Sequence, residues 1–236
     1  MIEVVKWAGG SGRRAVSAAV AEPRAIVVRG IISAAACAEI AGNVWADAPT
    51  VLLVPRPGED IVSYSRNAWT RAAHAPARLR GAGPLRGQAR LDLAPCFDVS
   101  RHVPTGLLGG HALNAADSCI FVTSAKMRTP LHSDERHGML LHVAGDKNFV
   151  TIPAADSDKR AETLKKLLRL RDKCGDHATI YPTDPPDAAL RGMRRLQGAL
   201  EAGDALFIPQ RWLHDIESRT PTISVSLRFG NWDAPN

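Results

Sequence analysis

The residues best suited to chemistry are His132 and Asp134, separated by one serine, and His214, which follows 80 positions after the aspartate. In an extended segment, residues two apart project from the same face, so the first imidazole and the carboxylate converge on one point. Two imidazoles and one carboxylate form the facial set suited to non-haem Fe(II), leaving three coordination positions for a bidentate co-substrate and dioxygen. Alone, a His-x-Asp pair carries little weight: the chain has eight histidines, and such a pair also arises on a surface strand with a polar face. His137 lies near the pair in sequence but reads as a supporting or exposed residue.

The segments around these residues read mainly as strands. Ser118 to Ser124 is one, and Met139 to Ala144 is another. The second ends in Gly145-Asp146, a hairpin-type turn, with Asn148 to Pro153 as the expected partner strand. Near the C-terminus, Ala205 to Ile208 is followed by Thr222 to Phe229, which alternates strictly. There Thr222, Ser224, Ser226 and Arg228 share the face opposite Ile223, Val225, Leu227 and Phe229. Upstream, Arg24 to Gly30 is a short apolar strand, and Ser33 can cap a short helix after it. Thr50 to Val54 and Asp60 to Tyr64 are further strands around a Pro57-Gly58 turn, and Ala73 to Gln88 is irregular. Between the strand-rich ends the period changes. Ala161, Leu164, Leu167 and Leu168 form a helical stripe within 158–173, and Ala188 to Leu200 reads as a second helical stretch. Strands at both ends with a helical insert predict a mainly β fold, a barrel with peripheral helices rather than a βαβ sheet. One domain spans 1–236, with supporting strands and helices in 1–117 and the barrel core in 118–236, interrupted by a helical insert at about 158–200.

Three blocks resemble the JmjC-type, cupin-like oxygenases that use Fe(II) and 2-oxoglutarate. They are Thr129-Pro-Leu-His-Ser-Asp, then Val143-Ala-Gly-Asp-Lys-Asn-Phe-Val, and Gly203-Asp-Ala-Leu-Phe-Ile-Pro-Gln-Arg-Trp-Leu-His-Asp-Ile-Glu-Ser. They stand in the family's order and spacing over roughly 118–232, and Glu22 to Gly30 resembles the family's N-terminal strand. The resemblance implies a double-stranded β-helix, a cupin or jelly-roll barrel. It also implies His132, Asp134 and His214 as iron ligands, with Thr129 and Lys147 holding the distal carboxylate of 2-oxoglutarate. An ammonium and a hydroxyl suit one end of a dicarboxylate whose keto-acid end chelates a metal. The alternative readings are a solvated turn lysine for Lys147 and an ordinary residue before proline for Thr129.

Arg228 lies fourteen residues after His214. If its strand face looks into the barrel, it binds 2-oxoglutarate or an acidic group on the substrate; otherwise it is a solvated arginine beyond the rim. Ser226 falls where relatives often carry Asn and is assigned to the co-substrate. The chain departs from the family pattern at Gly138, where Asn is frequent, and at His142, where Gln is frequent. It also stops soon after Trp232, without the helices that build dimers in several relatives, so the oligomeric state stays open. Trp212 reads as packing beside the last ligand, and Tyr64 as a possible pocket hydroxyl or a core residue.

Composition narrows the setting. With 45% apolar and 23% charged residues over 236 positions, the chain is globular. The charge of +6 favours anionic ligands but falls short of a nucleic-acid footprint. The basic stretch 159–173 and the arginines between Arg71 and Arg90 would matter for nucleic acid only as one continuous patch. No apolar run reaches membrane-spanning length, no leader pattern opens the chain, and the four cysteines are scattered, so a cytoplasmic location is expected. The expected function is Fe(II)- and 2-oxoglutarate-dependent hydroxylation, with O2 consumed and succinate and CO2 as co-products. The substrate would be a peptide or protein side chain, an amino acid or a natural-product intermediate. Related halogenases replace the metal-binding carboxylate with a small residue, so Asp134 favours hydroxylation. The alternatives are a cupin that binds metal and a small ligand without 2-oxoglutarate or without turnover, and a tRNA-modifying hydroxylase.

Overall fold

The computed structural model describes residues 1–45, 50–53, 69–72, 87–94, 96–158, 173–174, 177–179 and 191–230. Two sheets face each other. The larger has nine strands in the order β1 (Glu3–Lys6), β2 (Ile26–Arg29), β13 (Ala205–Ile208), β8 (His137–Ala144), β15 (Thr222–Phe229), β6 (Leu113–Thr123), β5 (Gln88–Leu91), β3 (Thr50–Leu53) and β4 (Trp69–Ala72). The smaller has six, in the order β10 (Lys173–Cys174), β11 (His177–Thr179), β7 (Met127–Ser133), β14 (Leu213–Ser218), β9 (Lys147–Ile152) and β12 (Leu196–Leu200). Among the described residues, all pairings are antiparallel except β1 with β2. This is the jelly-roll architecture expected from the sequence.

The period-2 patterning decides which face goes where. On β15, Ile223, Val225, Leu227 and Phe229 join Met139, Leu141 and Val143 of β8, and Ile120 and Val122 of β6, in the main core. That core is roofed by two helices, α1 (Gly10–Ala21) and α2 (Ala34–Trp45), which contribute Val16, Ala19 and Val20, and Cys37, Ile40 and Val44. These spacings of three and four put one stripe of each helix on the sheet. Ser33 caps α2 as expected, accepting a hydrogen bond from the Ala36 N–H at 3.2 Å. Because that face is turned outward to the helices, alternate residues on the same strands line the barrel interior. A second cluster, with Ile2, Val27, Phe149, Leu206, Ile208 and Trp212, joins the two sheets.

Two expectations are corrected. Gly145-Asp146 does make a turn, with Gly145 at φ +81°, but the strands on either side are not partners. β8 pairs with β13 and β15 in the large sheet, while β9 pairs with β12 and β14 in the small one. The turn is a barrel corner. It is packed so tightly that a Cβ at Gly145 would lie 2.2 Å from the Pro221 carbonyl oxygen. Secondly, Leu196–Leu200 is not helical but the edge strand β12, registered on β9 from Leu196↔Thr151 to Leu200↔Lys147. Pairing with an exposed sheet edge overrides the weak helical pattern there. Strands β1, β4 and β5 and helix α1 had no clear sequence signal. The expected strand at 60–64, including Tyr64, and the helix body at 159–172 lie outside the described residues, while Lys173, the expected helix end, is in strand β10. Among those residues, no helix is long and apolar enough to cross a membrane.

Candidate metal centre and co-substrate pocket

His132 and His214 are direct partners across the β7–β14 ladder, and their ring centroids are 4.0 Å apart. Asp134 follows the end of β7 by one residue, and its carboxylate turns back toward both rings. Its Oδ2 lies 3.4 Å from His214 Nε2, and its Oδ1 lies 4.0 Å from His132 Nε2. All three side chains are buried, and one ligand atom from each lies within 4.8 Å of the others. That donor set of two imidazole nitrogens and one carboxylate oxygen can hold a metal ion and fits Fe(II).

The surrounding structure fixes these donors. His214 Nδ1 donates to the Trp212 carbonyl at 3.0 Å, so its Nε2 lone pair points to the centre. The Arg211 N–H donates to the Asp134 carbonyl at 2.7 Å, tying the two ligand-bearing segments together. Arg211 takes a left-handed φ of 64°, a conformation that a non-glycine residue holds only where its surroundings enforce it. Buried Trp212 packs in the second cluster, as expected. A bulge in β7, where the step from His132 to Thr129 faces only His214 to Ile216 on β14, shifts the register just beside the two histidines.

Thr129, Lys147 and Ser226 are all buried on the strands around this centre. Thr129 sits opposite Ile216, and Lys147 sits opposite Ser218, four residues along β14 from His214. The Lys147 ammonium donates to Ser224 Oγ at 2.8 Å. Burial pulls its pKa down from 10.5 to about 7. Ser224 also lies 3.2 Å from His142 Nδ1, while His142 Nε2 lies 2.7 Å from the Gly145 carbonyl. A carbonyl only accepts, so Nε2 carries the proton and Nδ1 accepts from the serine hydroxyl. The chain of donors therefore runs from Lys147 through Ser224 and His142 to the corner at Gly145. Burial, together with the neighbouring Lys147 charge, holds His142 neutral, with its pKa lowered to about 4. Sequence reasoning put Ser224 on the same strand face as Ser226 and Arg228 without giving it a role; strand parity was the available signal.

Arg228 also enters the barrel. Its Nη1 pairs with Asp134 Oδ2. Its backbone N–H donates to Ser118 Oγ at 2.9 Å, at a register shift where β6 bulges against β15. Gly138 makes the room: a Cβ there would stand 2.8 Å from Arg228 Nη1. His137 is not brought to the centre. It accepts the Gln210 N–H at 3.1 Å, rests on Phe207 and Phe229, and is kept neutral by burial with its pKa near 4. Arg90 on β5 faces buried Cys119 on β6, a contact missed in the sequence because β5 is too short to show a pattern.

Comparison with known families agrees with this geometry. The family model described as a cupin-like domain matches residues 85–233. The chain belongs to the cupin-like family. Among curated relatives, this cupin-like protein is 30% identical over 117 residues to Jumonji C domain-containing protein 5 of Drosophila melanogaster, covering 48% of this chain and 27% of that one. It is 31% identical over 103 residues to lysine-specific demethylase JMJ30 of Arabidopsis thaliana, covering 44% and 23% of the two chains. It is 28% identical over 110 residues to tRNA wybutosine-synthesizing protein 5 of Homo sapiens, covering 45% and 31%. The match thus spans less than a third of each relative's length. These relatives place the protein in the JmjC-like part of the family and, with the buried His-Asp-His set, point to an iron and 2-oxoglutarate type of site.

Proposed function

We propose that the protein is an Fe(II)- and 2-oxoglutarate-dependent oxygenase that hydroxylates a C–H bond of an amino acid, a peptide or protein side chain, or a natural-product intermediate, with succinate and CO2 as co-products. The observation that carries this reading is a buried lysine with no carboxylate partner among the described residues, set at a fixed distance from three convergent metal donors. On β9, Lys147 stands four residues from Thr151, the residue opposite His214, about 13 Å of extended backbone. In this reading a five-carbon dicarboxylate spans from the donors toward the Lys147 ammonium. A buried ammonium without a counter-ion is expensive, and an incoming carboxylate relieves that expense.

In this reading His132, Asp134 and His214 hold the iron. The bound iron and co-substrate supply the oxidising power for attack on an unactivated C–H bond. The chain supplies position and dryness. Lys147 grips the distal carboxylate, with the hydroxyls of Thr129 and Ser226 beside it, and Ser224 with His142 keeps the ammonium in place. Arg228 and the Arg211 N–H hold the Asp134 side chain and backbone, so the carboxylate presents one fixed oxygen to the metal. Phe149, Leu206, Ile208 and Trp212 close the space between the sheets to water.

An anaerobic titration tests this. Fe(II)-loaded wild type is expected to develop a visible charge-transfer band on adding 2-oxoglutarate, His214→Ala to develop none, and Lys147→Ala to need at least about tenfold more co-substrate. A wild-type protein that binds Fe(II) yet shows no response to 2-oxoglutarate would overturn the reading.

A further inference from the structure

We infer that Arg228, seated in the space left by Gly138, is an anion clamp for the substrate, so that the molecule oxidised carries a carboxylate beside its reacting carbon. This rests on the oxygenase reading and adds to it the substrate's chemical class.

The clamp is built. Strand parity points Arg228 inward with Ser224 and Ser226, while Leu227 and Phe229 face the helices. The bulge opposite it on β6 is bridged by Ser118, whose Oγ accepts the Arg228 N–H and donates to the Asn114 carbonyl at 2.6 Å. The guanidinium lies over residue 138, which only glycine leaves open, since any Cβ would meet Nη1 at 2.8 Å. One edge of the guanidinium is used, through Nη1 on Asp134. Its Nε and Nη2 have no partner among the described residues and are not sealed from solvent, with the side chain 16% exposed. A planar fork with its second edge free is the geometry that takes a carboxylate with two parallel hydrogen bonds.

Position separates this group from the co-substrate's distal end. Lys147 bonds Ser224, and Arg228 is four residues further along the same strand, about 13 Å away. One short dicarboxylate anchored at Lys147 and at the triad therefore leaves the free edge of Arg228 for another ligand. Charge argues the same way. A divalent metal, Asp134, Lys147, Arg228 and a dianionic co-substrate together leave one positive charge in excess, and Arg90 adds to it from β5. A neutral substrate would bury that excess; a carboxylate neutralises it. The surroundings favour the approach of an anion: Arg136 is paired with Asp117 and Gly230 on the segment after Asp134, and exposed Arg211 follows on the facing loop.

The test uses the 236-residue protein loaded with Mn(II), which replaces iron without turnover, and with 2-oxoglutarate. Calorimetric titration with the N-acetyl derivatives of the common amino acids, and with the same compounds as carboxamides, varies only the carboxylate. Wild type is expected to bind at least one acid about tenfold or more tighter than its amide, the worth of a charge-assisted hydrogen-bond pair. Arg228→Gln should abolish that preference; because Arg228 also holds the Asp134 carboxylate, the comparison is made at Mn(II) and 2-oxoglutarate concentrations that saturate each variant. Gly138→Ala, which keeps every charge but displaces the guanidinium, should cut the preference by about fivefold or more. Equal binding of acids and amides by wild type contradicts the clamp. So does a preference that survives Arg228→Gln, or loss of 2-oxoglutarate binding in that variant with Mn(II) affinity retained, which would make Arg228 a co-substrate ligand. If wild type fails to take up 2-oxoglutarate, the oxygenase reading falls by itself. The acid-over-amide comparison is then made without co-substrate and still decides for or against the clamp.

Discussion

Lys147 and His142 never touch, yet one hydroxyl joins them: Ser224 Oγ accepts from the lysine at 2.8 Å and faces the histidine Nδ1 at 3.2 Å. His142 is in turn fixed to the carbonyl of the barrel corner. The ammonium proposed to hold the co-substrate is therefore tied through two side chains to the turn that delivers β9 from the large sheet to the small one. Where the lysine points is a property of the corner as much as of its own strand.

Removing the hydroxyl should loosen the lysine while leaving the metal donors in place. Ser224→Ala is expected to weaken 2-oxoglutarate binding by about tenfold, as for loss of a hydrogen bond to a charged group, with Mn(II) affinity unchanged. Calorimetry with Mn(II) and then 2-oxoglutarate separates the two effects. An unchanged affinity for 2-oxoglutarate would mean that Ser224 has no part in placing Lys147.

The pH dependence of co-substrate binding follows from the same lysine. Burial lowers its pKa from 10.5 to about 7 in the free protein, and a bound carboxylate raises it again. Above pH 7 binding must therefore take up a proton, and affinity should fall as pH rises, by up to about tenfold per pH unit. Below pH 7 the lysine is already charged and this dependence is lost. His142 stays neutral throughout, its own pKa being near 4. In the free protein the unfolded chain holds more protons between pH 7 and 10.5. Lys147 therefore makes stability rise with pH across that window, and saturating 2-oxoglutarate should flatten the rise. Titrations from pH 6 to 9 in two buffers of different ionisation enthalpy read both the affinity and the proton uptake.

The corner itself is open to test at Gly145. Its φ of +81° and the Pro221 carbonyl 2.2 Å from a Cβ position leave no relaxed place for a side chain. Gly145→Ala should lower stability by roughly 2 kcal/mol or more, read as a drop in Tm, and weaken 2-oxoglutarate binding along with it. A variant with unchanged Tm would show that the corner is looser than its packing implies.

Much of this was legible in the residues. Alternation in Thr222–Phe229 separated the two faces of the strand but left open which one looks into the barrel; packing of the apolar face in the core under the helices decides it. That His132, Asp134 and His214 come together was legible because the first two are two apart at a strand end and His214 follows a Gly-Asp-Ala-Leu-Phe-Ile-Pro strand. What stayed hidden was long-range. Nothing local distinguishes a hairpin from a barrel corner at Gly145-Asp146; the difference lies in which distant strands β8 and β9 meet. Leu196–Leu200 became a strand only because β9 offered it an edge. Gly138 stood in the sequence only as a departure from the family pattern; the room it leaves is seen only with Arg228 lying across it, 90 positions away in sequence.

The central claim is that His132, Asp134, His214 and Lys147 form one working oxygenase site. It is tested most directly by measuring succinate released from 2-oxoglutarate in air after anaerobic loading with Fe(II), in wild type, His132→Ala and Lys147→Ala, with and without carboxylate-bearing amino acids and peptides. Wild type is predicted to release succinate in step with oxygen consumed, faster when a substrate is present. His132→Ala should fall to background, and Lys147→Ala should recover only at much higher 2-oxoglutarate. Wild-type succinate no greater than that of His132→Ala, under every condition, would contradict the account.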